Sequence, residues 1–533
     1  MRDKHLFIII LILSVSRFYD LGVMEVRGWD EALYAMRARS ILQFGDWLDQ
    51  SAHSIGGLYS AAHPPLYIWL TALTMKFLGD SGLAIRLWSA IFGAATILVL
   101  YFLPRDRSSG FFAAFILATS AFFGFYTRQG QLDVIYTFFI ILGVFFYSRY
   151  ETSGTGRWLG LTGLALGFAL LSKIIVGFFL LMIVCLYSIL RVILKEMTVK
   201  KALGQCLVVF VIGMIIALPW HLYMFWRHGQ DFIDCYFLFH IIQRSIKGVE
   251  LNVRALGPLF FANQIIVILS AGAAIALWRI SKIKFREEKL SSLYFMSFLI
   301  PFVIFSLSRT QLRTYAIPML PPLALLAGCG LNEIWRSNRV SRPAFSFTLV
   351  CSVWASSQSL RDSVKQLLSM SRFDPDLLIL AVIVVITIVL VGRRIPGKVF
   401  SAVILGFLLA MSFTSTVEHS RSRIEEIAER FDREGCHRLI YIDEVRIVHN
   451  PQISYYFKGI DLGWRDGYSF QLIQPNNTHE IDLSTTDCTF IIVSQHYKRP
   501  EFLEVENMLR RRAESVMIND RYHVYRWEPT IGE

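Results

Sequence analysis

Apolar and polar positions along this chain alternate on the scale of a membrane rather than of a globular core. From Leu6 to about Thr416 long apolar runs recur between short polar links, and from about Glu418 onward they stop. Crossing the hydrocarbon as a helix takes about 20 mainly apolar residues, because backbone N–H and C=O groups must pair internally there. The runs predict about thirteen spans, near 6–24, 84–103, 111–127, 132–148, 158–172, 174–190, 203–220, 257–278, 291–307, 315–335, 343–358, 377–392 and 399–416. Residues 25–83 break the pattern. Trp29, Trp47, Trp69, the paired Pro64 and Pro65 and flanking amphipathic stretches predict a segment lying at the outer interface, where tryptophan favours the headgroup level. A second long outer loop is predicted from Trp220 to about Arg254.

Beyond 418 the pattern becomes α/β. Ile424, Ile427, Ala428 and Phe431 share one face of a predicted helix over 421–434. Residues 438–443 and 489–494 read as buried strands, 501–512 as a second helix and 522–527 as a closing strand. The predicted organisation is a polytopic α-helical membrane domain over 1–417 and a soluble α/β domain over 418–533.

Composition agrees: of 533 residues, 54% are hydrophobic and only 18% charged, where a soluble protein carries nearer a quarter. A net charge of +12 raises the question of nucleic acid, and the distribution answers it. The basic residues fall in every second link (Arg2 and Lys4, Arg105 and Arg107, Arg149 and Arg157, 191–201, 279–289, Arg336 to Arg342, Arg393 to Lys398), the positive-inside pattern. No basic, aromatic-bearing soluble module accompanies them, so nucleic acid is not a predicted partner. Residues 6–24 lack a small-residue cleavage site and read as a retained signal anchor. An odd number of spans from a cytoplasmic N-terminus places the C-terminal domain outside an inner or plasma membrane. There Cys436 and Cys488 could pair, while the cysteines of the spans show no metal-ligand spacing.

Candidate chemistry starts after the first span, in the stretch from Gly28 to Arg39. As a helix it puts Asp30, Tyr34 and Arg37 on one face. An inward carboxylate near a cation stays ionised and can accept a proton. Alternatively, Asp30 and Glu31 are a first-turn pair compensating the helix dipole, with Arg37 at the surface; spacing alone favours this second reading. Asp133 sits at an outer turn, either as a helix-start residue or within a cavity shared with Asp30. Arg128, Lys173, Arg244 and Arg313 lie outside against the charge trend, which suggests an anionic ligand or snorkelling to lipid phosphate.

The order of several motifs resembles the GT-C glycosyltransferases that include protein O-mannosyltransferases and the aminoarabinose transferases of lipid A. They are Trp29 to Ala35, His63-Pro64-Pro65-Leu66-Tyr67-Ile68-Trp69, Ala84 to Gly93, Arg128 to Asp133, Gly167 to Lys173, Leu218-Pro219-Trp220, His240 to Arg244, and Arg313 to Pro322. The resemblance covers about 1–335 and extends to the later spans only through hydrophobicity. It implies a polyprenyl-phosphate sugar donor and transfer on the outer face to a lipid, glycan or protein acceptor, by inverting single displacement. It also implies Asp30, beside Glu31, as base or acceptor-orienting group and Asp133 as the second acidic residue. Lys173, Arg244 and Arg313 would hold the leaving phosphate and Tyr315 would line the donor cavity, with Tyr34, Arg37, Arg128 and His240 as further binding candidates.

Two departures stand out. Ala62 and His63 replace the acidic residue and Lys of the aminoarabinose transferases, so the Glu–His metal pair of that subgroup is incomplete, although His240 remains. Leu33 stands where those enzymes commonly carry an Arg. Both put aminoarabinose transfer in doubt and leave a divalent metal open. His63 either replaces the Lys at the phosphate or caps the interface loop. The rival class is a lipid-linked sugar transporter or flippase, which would show ionisable groups near the midplane in repeated halves; here the informative charges gather at one surface.

Overall fold

The computed structural model describes residues 3–173, 175–248, 257–337, 396–414, 423–443, 451–474, 488–495, 500–519 and 521–527, with Val340 and Thr348. The chain divides into two compact units. One comprises Met1–Tyr19, His63–Tyr67 and Arg86–Thr416; the other comprises Asp20–Ala62, Ile68–Ile85 and Val417–Glu533.

The first unit is helical. Among the described residues, six helices are long and apolar enough to cross a membrane: Gly82–Phe102, Leu132–Ser153, Val176–Ile193, Val199–His228, Lys289–Leu307 and Arg313–Ser337. Shorter apolar helices accompany them. The predicted spans near 343–358 and 377–392 lie outside the described residues. Three others are interrupted by local backbone chemistry that hydropathy does not register. The first helix is Asp3–Val15 and gives way to a 3-10 turn at Ser16–Phe18. The run over 111–127 is cut at Ser120, whose hydroxyl caps a new helix by accepting from the Phe123 N–H. The run over 257–278 breaks at Ser270, which takes a left-handed φ of 47° between Pro258–Leu269 and Ala271–Ile280.

Helices Leu132–Ser153 and Gly156–Ser172 form an antiparallel hairpin, turned at Gly154 with φ 68°. The second arm packs tightly on Val199–His228. A Cβ at Gly213 would lie 2.6 Å from the Leu166 side chain, so small residues set how close these helices come.

The second unit holds a five-stranded sheet in the order β2-β1-β3-β5-β4. β1 is Arg438–Ile442, β2 Ser469–Ile473, β3 Thr489–Ser494, β4 Glu514–Ile518 and β5 Tyr522–Trp527. β1, β2 and β3 run parallel; β5 is antiparallel to β3 and β4. Parallel strands are covered on both faces, and alternate residues serve two cores. Leu439, Tyr441, Phe490 and Ile492 face helices Ile424–Arg433 and Pro451–Tyr456. Ile440, Ile442, Ile491 and Val493 face Val505 and Leu509 of Pro500–Arg512. Cys436 and Cys488 are joined by a disulfide. The units part between Thr416 and Val417, and Asp20–Ala62 and Ile68–Ile85, which the sequence groups with the spans, form one compact unit with Val417–Glu533.

Candidate functional site

In the first unit, chemistry gathers at the open end of the 132–172 hairpin. Asp133 is in the first turn of its helix and Lys173 directly follows the other arm, so the two arms end side by side. Gly177 makes this turn tight: a Cβ there would lie 2.6 Å from the Leu170 backbone nitrogen. The Lys173 Nζ donates to Asp133 Oδ1 at 2.8 Å, and Asp133 as a residue is only 3% exposed. Tyr136, one turn along, also donates to Oδ1, at 3.3 Å. The ammonium lies 5.4 Å from the ring centres of both Tyr136 and Tyr315. Tyr315 is fixed by stacking on Phe305 at 4.6 Å. A buried carboxylate thus orients a lysine within a cage of two tyrosines, the kind of environment in which opposite charges must stay paired.

Elsewhere in this unit the rings of His63 and His240 meet at 4.4 Å. His240 lies on a π-helical stretch, Asp234–Gln243, geometry that recurs at functional sites; Tyr236 of the same stretch hydrogen-bonds His221 at 2.9 Å. Arg244 follows directly, and its carbonyl accepts from the Thr310 hydroxyl at 2.7 Å, which brings its backbone to the segment leading into Arg313. Arg313 is exposed, at the start of the 3-10 turn that carries Tyr315. Arg128 lies 5.9 Å over the Tyr19 ring, with its Nε buried. Among the described residues no three His, Cys, Asp or Glu side chains gather as a metal cage.

The second unit carries the Gly28–Arg39 stretch, helical over Asp30–Phe44. Asp30 is its exposed first residue, preceded by Trp29 with φ 65° and ψ −123°. Glu31 is 1% exposed and accepts from the Arg27 backbone N–H at 2.8 Å; it ties the helix to the chain entering it. Tyr34 is 5% exposed and Arg37 1%. Arg37 Nη1 donates to the Ser60 carbonyl at 3.0 Å and Nη2 to Gln50 Oε1 at 2.8 Å. Burial pulls its pKa down to about 10, with Asp49 and Tyr34 acting in the other direction, so it stays protonated at neutral pH. The surface partner allowed by spacing is instead an interior clamp on the 50–60 segment. Asp30 and Asp133 fall in different compact units.

Residues 62–223 match the family described as dolichyl-phosphate-mannose-protein mannosyltransferase. The undecaprenyl phosphate-alpha-4-amino-4-deoxy-L-arabinose arabinosyl transferase of Pseudomonas aeruginosa (strain UCBPP-PA14) is 26% identical over 336 residues, 61% of this chain and 59% of that protein. A protein of Aquifex aeolicus (strain VF5) is 27% identical over 342 residues, 62% of this chain and 65% of its own length. The chain therefore spans about three fifths of the length of these curated relatives. Among solved structures, ArnT from Cupriavidus metallidurans bound to undecaprenyl phosphate aligns over 98% of this chain and 97% of that one, with a TM-score of 0.70 at 16% identity.

The fold is that of the GT-C glycosyltransferases. The family resemblance read from the sequence is borne out by these matches, and the helical GT-C fold extends beyond the stretch where motifs were legible. Two residues that the GT-C motifs left without a role become visible in the fold. Tyr136 stands at i+3 from Asp133, a spacing that marks a helix neighbour. Arg86, within the quoted Ala84 to Gly93 motif, is completely buried, which periodicity could have flagged because its helix neighbours are apolar.

Proposed function

We propose that this chain is a membrane glycosyltransferase that moves a sugar from a polyprenyl-phosphate donor to an acceptor at the outer membrane face. The observation that carries the reading is the buried Asp133–Lys173 pair beside Tyr136 and Tyr315, in a fold shared with a protein bound to undecaprenyl phosphate. As the bond from the sugar C1 to the phosphate oxygen breaks, negative charge grows on the departing phosphate. Lys173, with Arg244 and Arg313, stabilises that charge; Asp133 holds Lys173 in place. By the family resemblance, Asp30 takes the proton of the attacking acceptor hydroxyl, and single displacement inverts C1. The Cys436–Cys488 disulfide supports an oxidising, non-cytoplasmic setting for the C-terminal domain. If transfer needs a divalent ion, His63 and His240, whose rings meet at 4.4 Å, would supply two of its ligands and the substrate or water would have to supply the rest.

The test is transfer by the purified full chain in detergent, where no sidedness exists and a flippase has nothing to do. Undecaprenyl phosphate-α-4-amino-4-deoxy-L-arabinose and undecaprenyl-phosphate mannose serve as donors, with an envelope lipid extract as acceptor. Discharge of polyprenyl phosphate is followed by lipid chromatography. Acceptor-dependent discharge of one donor is expected, reduced by about 10²-fold or more in Asp30→Asn. No discharge of either donor ends the enzymatic reading, and full activity of Asp30→Asn removes Asp30 from its role.

A further inference from the structure

Asp30 stands at the end of a chain segment whose conformation is held from the far end of the sequence. Four residues before it, Val26 is 3% exposed, and both its backbone groups are bound by side chains of one short helix of the C-terminal domain, Pro451–Tyr456. The Val26 N–H donates to the Tyr456 hydroxyl at 2.7 Å, and the Val26 carbonyl accepts from Gln452 Nε2 at 2.8 Å. Gln452 and Tyr456 are four residues apart, on one face of that helix. Tyr455 adds a third attachment further along the Asp30 helix: Arg39 donates to its carbonyl at 2.8 Å and lies 4.5 Å over its ring, and its hydroxyl donates to Asp80, the ion partner of Arg39. Between the clamp and Asp30 comes Trp29, whose left-handed φ is unfavourable for a side-chain-bearing residue and persists only where the surroundings fix it. Trp29 itself is 63% exposed, so packing of its own side chain does little to hold it. The turn is bridged locally by the Ala32 N–H donating to the Arg27 carbonyl at 3.1 Å and by the Glu31 cap on Arg27, and the Gln452–Tyr456 grip holds the chain that enters it at Val26.

We propose that Gln452 and Tyr456 are positioning residues for glycosyl transfer. Through Val26 they set the strained turn that aims Asp30, which makes the C-terminal domain part of the transfer machinery. The proposal rests on the assignment of Asp30 above.

The experiment compares wild type, Tyr456→Phe, Gln452→Leu, the double variant, Asp30→Asn and Lys458→Ala, all as full chains, with whichever of the two donors is discharged. Melting temperature and an intact Cys436–Cys488 bond certify folding. The expected result is a fall in kcat of about 10-fold for each clamp variant and about 10²-fold for the pair. KM for the donor should stay within about twofold, and Lys458→Ala, an exposed site, should match wild type. Amide hydrogen exchange reads the mechanism directly: the peptide over 24–33 should exchange faster in the clamp variants. Faster exchange there with unchanged kcat overturns the proposal, because the grip would hold the chain without mattering to chemistry. Unchanged exchange overturns it too, because no grip would exist. If Asp30→Asn abolishes transfer while the clamp variants run at the wild-type rate, the positioning role alone fails. A fully active Asp30→Asn removes the assignment beneath it.

Discussion

At the residue scale, Asp133 and Lys173 form a largely buried pair of opposite charges at the open end of a helical hairpin. Their nitrogen and oxygen are 2.8 Å apart, with side chains 19% and 5% exposed for the lysine and aspartate. Removing one partner of such a pair leaves an uncompensated buried charge, at about 3–5 kcal/mol, whereas replacing both by apolar groups is often neutral. Lys173→Ala should therefore lower thermal stability and transfer together. The double change Asp133→Leu with Lys173→Leu should restore most of the stability and none of the transfer. Melting curves and the discharge assay, run on the same preparations, separate the two effects; recovery of activity in the double variant would show that neither charge serves the reaction. Both residues were legible in the sequence, because a charge beside an apolar run is conspicuous. Their pairing was not, since it depends on the hairpin bringing positions 40 residues apart to one level.

At the element scale, apolar length located the six long spans well, because desolvation of the backbone leaves little choice of structure there. The same signal passed over the break at Ser270, where the apolar run continues across a residue with φ 47°. It also gave no hint of the π-helical turn at Asp234–Gln243, whose wider winding leaves no periodic mark in ten residues. In the C-terminal domain, helix Ile424–Arg433 is tied near its end by Asp432, which accepts from Arg465 at 2.8 Å and from Lys458 at 3.1 Å. Partial burial would raise its carboxyl pKa, but the hydrogen bonds and charges of these two cations outweigh it and hold the carboxyl below the ordinary range. A lowered folded pKa contributes stability that is complete above the unfolded value of about 3.9 and is lost as pH falls through the folded one. Melting temperature should accordingly decline with acidification below about pH 4, and less steeply in Asp432→Asn. Identical acid profiles for the two proteins would deny the link.

At the scale of the whole molecule, the two-unit division departs from a simple membrane part followed by a soluble part. Composition could not reveal that residues 20–62 and 68–85 belong with the C-terminal domain, because the contacts that join them, the polar grip on Val26 and the apolar cluster around Tyr455, bring together residues hundreds of positions apart. The disulfide offers a handle on the same scale. It closes a loop with a sequence separation of 52, for which chain entropy gives about 4 kcal/mol of stabilisation. Reduction, or joint replacement of Cys436 and Cys488 by Ala, should lower the first melting transition. In intact cells a membrane-impermeant maleimide should label the pair only after reduction from outside. Labelling without reductant, or only after lysis, would contradict the oxidised outer placement.

The grip on Val26 also dictates a timetable. The partners are 426 and 430 residues apart, so at about 5–20 residues per second the ribosome completes the second half of the contact roughly 20–85 seconds after the first. During that interval residues 20–62 are already made, with Val26, Ala32, Ala35 and Met36 lacking the cover of Tyr455. A chain cut short before residue 451 should accordingly keep its long apolar helices yet leave this seam permanently uncovered.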